Sequence, residues 1–278
     1  MRVVAVVATY NEARFIRSCL DDLIRQGIDV YLLDNSSTDE TVAIARSYLG
    51  RGLIEIESCP RQGQYSWRPL LERKERICAT VNADWFMHVD ADEIRRCPSH
   101  LGQSLPEAFA EVERQGYNAV NFLEFTFTPT REAPDHDHPD FLGTMRWYYP
   151  FAPAGGPSRI NAWKRQRDPV DLASSGGHQV RFPGARVHPE SFPMRHYMFL
   201  SVSHAVRKYV ERRYDPAEVA AGWHRARAAV RAERITLPAQ DDLRYFVSDE
   251  QLDRSNPRTR HYLFANGEAN RHEGSRVP

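Results

Sequence analysis

Three carboxylates fall within four positions at Asp90-Ala91-Asp92-Glu93, directly after the apolar run Trp85-Phe86-Met87-His88-Val89. Like charges this close repel and raise one another's pKa, so they persist only where water or a cation compensates them. In an extended backbone, positions i and i+2 project to the same side, which places Asp90 and Asp92 together. Paired carboxylates offer hard oxygen ligands, and phosphate oxygens would complete a shell suited to Mg²⁺ or Mn²⁺. The plain alternative is a solvated acidic turn. Placement at the end of a buried strand, facing other polar strand ends, favours the cation site.

Those strand ends come from two alternating periods in the first part of the chain. Residues 3–8 (VVAVVA) form a continuous apolar, β-branched run, as in a strand covered on both faces. Residues 13–27 carry apolar side chains at Phe15, Ile16, Cys19, Leu20, Leu23 and Ile24, a helical spacing that Gly27 ends. Strands are expected at 29–34, 53–57 and 84–90, and helices at 36–50 and 68–82. Strand–helix alternation with short links predicts a parallel sheet with crossover helices. Ligands of such sheets bind beyond the carboxyl ends of the strands. The tips there are Thr9-Tyr10-Asn11-Glu12, Asp34-Asn35-Ser36-Ser37 and Asp90 to Glu93, all polar and converging on one edge. No G-x-G-x-x-G follows the first strand, and no G-x-x-x-x-G-K-[ST] occurs, which argues against those two nucleotide loops.

Downstream the pattern is less regular. A helix is expected over 101–116, strands over 118–127 and 159–165, and a polar, proline-broken, mobile loop over 128–143. Helical spacing returns over 204–235, and the last forty residues, ending in EANRHEGSRVP, read as weakly ordered. The 278 residues are 41% hydrophobic and 11% aromatic, enough for a sizeable core. Balanced charge, 37 basic against 37 acidic side chains, gives no sign of a nucleic-acid or membrane surface. Cys19, Cys59, Cys78 and Cys97 form no C-x-x-C pair and read as free thiols. The apolar run at the start is too short for a membrane span or a leader, so a soluble cytoplasmic protein is expected.

Four segments together resemble one family. VVATYNEARFIRSCLDDL, VYLLDNSSTDETVAIA, ERICATVNADWFMHVDADE and RHYMFLS are similar to parts of a bacterial-type family 2 glycosyltransferase. The resemblance implies the α/β GT-A fold, a mostly parallel sheet flanked by helices with a C-terminal helical extension. It implies a glycosyltransferase domain over 1–200, with 1–100 as the nucleotide-binding half and 101–200 as the acceptor half, and an extension over 201–278. The implied reaction moves a sugar from a nucleotide diphosphate sugar, a UDP-sugar, to an acceptor. That acceptor is left open among a glycan, a lipid-linked intermediate, a peptide and a natural product. Inversion and a divalent metal, Mn²⁺ or Mg²⁺, are implied with it.

Residue roles follow from the resemblance. Thr9, Asn11 and Glu12 match the loop that lines the nucleoside, and Asp34 matches an aspartate that accepts from a uracil N–H. Ser36 and Ala91 lie on the same nucleotide-binding tips, and Lys74 in the third helix reaches toward the nucleotide. Asp90 faces the ribose or the metal, Asp92 ligates the metal, and His196 is a further metal ligand. For Asn11 and Ser36 a turn or cap role stands beside the binding role. Lys208, in a basic run with Arg207, Arg212 and Arg213, either binds diphosphate oxygens or faces water. Inversion needs a general base, and the family's usual Glu-Asp pair is missing near 175–190. His178, after two glycines that allow close backbone approach, is the expected base, with Asp171 and Glu124 in reserve. Two rival classes remain: a sugar-phosphate nucleotidyltransferase, whose glycine-rich loop after the first strand is lacking, and a non-catalytic nucleotide-sugar binding module.

Overall fold

The structure, a computed structural model, describes residues 1–153 and 159–265, so the segment EANRHEGSRVP lies outside the described residues. Four strands, β1 (Val3–Thr9), β2 (Asp29–Asp34), β3 (Leu53–Ser58) and β4 (Trp85–Asp90), pair in parallel in the order β3-β2-β1-β4. Helices α1 (Ile16–Arg25), α2 (Thr41–Arg46) and α3 (Arg68–Thr80) connect them. Alternate side chains of β1 enter different cores. Val3, Ala5 and Val7 pack with Phe15, Leu20 and Met87, while Val4 and Val6 pack with Leu71, Ile77 and Phe86. Both faces are covered, which is why the run is apolar throughout. Burying each such valine or leucine contributes about 1.5–3 kcal/mol.

Downstream come β5 (Glu93–Arg95), α4 (Leu105–Arg114), β6 (Ala119–Phe127), β7 (Trp147–Phe151), β8 (Ile160–Lys164), β9 (Phe192–His196) and β10 (Arg244–Tyr245). The sheet continues from β4 through β8, β6 and β7 to β10, with β8 antiparallel to both β4 and β6. β9 leaves this path to pair with β5 and β6, which sets His196 opposite both Glu93 and Thr126. The first and second parts of the chain therefore share one sheet.

Two expectations are corrected. The 128–143 loop is pinned rather than loose. The His136 backbone N–H donates to Leu200 O at 2.8 Å, and Asp137 accepts from Arg14 at 2.8 Å and Arg207 at 2.6 Å. The helical segments expected over 204–214 and 216–235 are broken into short pieces, Val202–Ala205, a π-helical turn Val206–Val210, Pro216–Ala220 and Arg225–Ala228. Gly222 (φ 99°) and His224 (φ 57°) adopt left-handed backbone there, and a right-handed helix cannot pass through it. The chain folds back over the strand tips instead. All four cysteines are free. Among the described residues no helix is long and apolar enough to cross a membrane.

Candidate active site

In the sheet register Thr9 lies opposite Asp34 and Ala8 opposite Asp90, so the tips of β1, β2 and β4 stand side by side. A cavity of about 810 Å³ opens over them, walled by Glu12, Asn35 and Asp90, by Gly177 and His178, and by Lys208, Arg212 and His224 from the folded-back segment.

Alternating charges run along the floor. Lys208 Nζ donates to Asp92 Oδ2 at 2.7 Å and lies 3.5 Å from Glu12 Oε2. His196 Nε2 is 3.6 Å from the same Asp92 oxygen, and its Nδ1 is 2.6 Å from Glu124 Oε1. Arg159 donates to Glu124 Oε2 at 2.8 Å, and its other terminal nitrogen donates to His178 Nδ1 at 3.2 Å. Glu124 is fully buried, and the side chains of Asp92, His196 and Lys208 are each less than a tenth exposed. Burial alone would raise the Asp92 pKa, but Lys208 and His196 hold it far below the usual carboxylate range. Burial would lower that of His196, yet Glu124 and Asp92 lift it to about 10. For Glu12 burial wins over the attraction of Lys208, and its pKa rises to about 7.

The expected site residues separate into three groups. Glu12, Thr9, Asp90, Ala91, Asp92, His178, His196 and Lys208 all line the cavity. Asn11, Asp34 and Ser36 hold turns. Asn11 (φ 56°) accepts from Thr38 N at 2.8 Å, Asp34 accepts from Ser37 N at 3.1 Å, and Ser36 (φ 64°) accepts from Arg61 N at 3.0 Å. Lys74 and Asp171 are elsewhere, which corrects both expectations. α3 carries Lys74 inward against the sheet, where its Nζ meets His88 Nδ1 at 2.7 Å and Val89 O at 3.3 Å. Asp171 accepts from Ser174 N at 2.8 Å and caps the short turn before the glycines. Those glycines do bring the backbone close, but to the protein itself. A Cβ on Gly177 (φ +83°) would stand 3.0 Å from both His88 Nε2 and Leu71 Cδ2.

Residues 4–94, from β1 into β5, match the family profile described as Glycosyl transferase family 2. The likeness to that family is carried by this stretch of the chain. The chain is similar to the lipopolysaccharide core biosynthesis glycosyltransferase LpsC of Rhizobium meliloti (strain 1021), 29% identical over 107 residues, 38% of this chain and 36% of that protein. It is also similar to an uncharacterized glycosyltransferase of Rickettsia bellii (strain RML369-C), 30% identical over 118 residues, 42% of this chain and 36% of that one. The chain thus spans about a third, 36%, of the length of the curated relatives it matches. Among solved structures, S. aureus TarS 1–349 in complex with UDP is similar at 13% identity and TM-score 0.41, covering 72% of this chain and 61% of that chain.

The expected metal set does not assemble among the described residues. Asp92 Oδ2 already carries the Lys208 ammonium. His196 faces a carboxylate through each ring nitrogen, so both nitrogens act as donors and neither offers a lone pair. Among the described residues no three His, Cys, Asp or Glu side chains are arranged to hold a metal ion. Sequence reasoning missed other residues. Asn35 lines the cavity with its Oδ1 buried and without a hydrogen-bond partner. Glu218 accepts from the backbone N–H groups of Trp67 and Arg68 at 2.8 and 2.7 Å and so caps α3, which has no cap of its own. Glu124, kept only in reserve, is the centre of the charge chain. A lone carboxylate inside the apolar run NFLEFTF was the available signal, since a charge there demands a partner.

Proposed function

We propose that the chain transfers a glycosyl group from a UDP-sugar to an acceptor hydroxyl, with inversion. One observation carries the reading: the cavity over the strand tips is lined by six basic side chains against three carboxylates. Arg159, Arg181, Lys208, Arg212, Arg225 and Arg227 face Glu12, Asp90 and Asp92 there. Such a surplus suits a diphosphate, and guanidinium groups bind phosphate oxygens in pairs. A volume of about 810 Å³ falls in the range of small-molecule sites and fits a nucleotide sugar. The unpartnered Asn35 Oδ1 can accept from a base N–H, and Tyr10 and Tyr65 offer rings for the base to lie on. In this reading residues 1–100 form the nucleotide-binding half, 101–200 the acceptor half, and the segment from 201 closes the cavity.

A single displacement needs one base for the acceptor proton. His178 is poorly held for that task. Its Nδ1 accepts from Arg159, and burial, then Arg159, lower its pKa to about 3. Among the described lining carboxylates, Asp90 alone has neither a hydrogen bond nor an ion pair through its side chain, and we assign the proton to it. The test is a thermal-shift panel of nucleoside diphosphates, followed by UDP release from UDP-sugars with Asp90→Asn as the control. Binding should survive in that variant while turnover falls by about 10²–10⁴. If no nucleotide raises the melting temperature, the reading is wrong.

A further inference from the structure

We propose that side-chain cations, Lys208 with Arg212 and Arg227, neutralise the donor's diphosphate in this cavity, and that nucleotide binding here needs no divalent metal. The inference rests on the nucleotide-sugar reading above. Lys208 already engages the Asp92 oxygen that a divalent metal would take as a ligand. Its Nζ is 2.7 Å from Asp92 Oδ2 and 3.5 Å from Glu12 Oε2, and its side chain is 9% exposed. The Phe15 ring, 4.8 Å away, further fixes the ammonium. An ammonium has three N–H donors. One is given to Asp92, and Glu12 Oε2 lies at ion-pair distance without a hydrogen bond, which leaves donor capacity for a phosphate oxygen.

The arginines add charge that the protein itself leaves unused. Among the described residues neither Arg212 nor Arg227 forms an ion pair or a side-chain hydrogen bond, and Arg212 Nε is buried without a partner. Neutral rings surround Arg212, with Tyr65 at 4.8 Å and Tyr10 at 5.5 Å. A buried donor without an acceptor is costly, and an incoming phosphate oxygen removes that cost. A divalent ion binding Asp92 through Oδ2 would have to displace Lys208, and one binding through the other oxygen would still enter a field of like charge. The second imidazole N–H of His196, aimed at the same carboxylate, makes that approach worse.

The experiment is UDP titration calorimetry on chelator-stripped protein, once in EDTA and once in Mn²⁺. UDP should bind in EDTA with an affinity within about threefold of that in Mn²⁺. Lys208→Met should weaken the EDTA binding by about thirtyfold or more, and Arg212→Gln by about tenfold with an unchanged melting temperature. Arg212→Gln keeps the test decisive if Lys208→Met, which strands Asp92, fails to fold. Binding that appears only with Mn²⁺ overturns the inference and leaves the nucleotide-sugar reading standing. So does EDTA binding that Arg212→Gln does not weaken. If UDP binds in neither buffer, the nucleotide-sugar reading itself has failed.

Discussion

Glu124→Gln removes one negative charge and almost no volume from the most buried carboxylate of the site. Glu124 is 0% exposed and receives Arg159 at 2.8 Å and His196 at 2.6 Å. Burial alone would raise its pKa, but Arg159 and His196 hold it well below the usual carboxylate range. The variant would leave Arg159 without its carboxylate and His196 with Asp92 alone. Breaking a buried pair by removing one partner costs about 3–5 kcal/mol. Total stabilities are about 5–15 kcal/mol, so this is a large fraction. At about 2–4 °C per kcal/mol for a chain of this size, the melting temperature should fall by about 6–20 °C. The pH dependence should change as well. His196 is lifted from its ordinary 6.5 to about 10, so its contribution is fully present below pH 6.5 and is lost as pH rises through 10. Glu124 is the largest raising cause for His196, so the variant should lose less stability than wild type between pH 7 and 10. Urea unfolding of both proteins at pH 7 and at pH 10 measures both effects. Equal midpoints at pH 7, or an undiminished alkaline loss in the variant, would refute the charge-chain argument.

Other consequences are open to simple measurement. Gly177→Ala places a Cβ 3.0 Å from His88 and Leu71 at a φ of +83°, so it should destabilise by about 1–3 kcal/mol and lower donor affinity, as denaturation and UDP titration would show. His178→Gln should change kcat by less than about tenfold and leave the pH–rate profile in place; a loss of 10²–10⁴ with a vanished limb would restore His178 as the base. Glu218→Ala uncaps α3 and should cost about 1–2 kcal/mol, read as a drop of about 2–8 °C in Tm.

Much of the parallel part of the sheet was legible in the sequence. The strand expected at 29–34 is found with those bounds, and the expected polar tips of β1, β2 and β4 do lie side by side. Helix ends were less legible. α2 was expected over 36–50 and spans Thr41–Arg46, because Ser37 and Asp39 accept from the backbone N–H groups of Asn11 and Ala13 rather than lengthening the helix. In the second half His196 and His178 were given roles without the contacts that decide them. His196 and His178 both reach the cavity, but which nitrogen meets which carboxylate or guanidinium depends on β9 pairing with β5 and β6, and no periodicity announces that.

The sequence by itself determined the parallel sheet, both of its covered faces and the edge where polar tips gather. Those features follow from local periodicity, because the spacing of apolar residues dictates which face is buried. Only the tertiary structure decided what occupies that edge. Lys208 meets Asp92 across 116 positions, and Glu218 caps α3 across 150. Such pairs depend on the path of an irregular segment broken at Gly222 and His224. A path of that kind is set by the packing of the whole chain, not by any window of it.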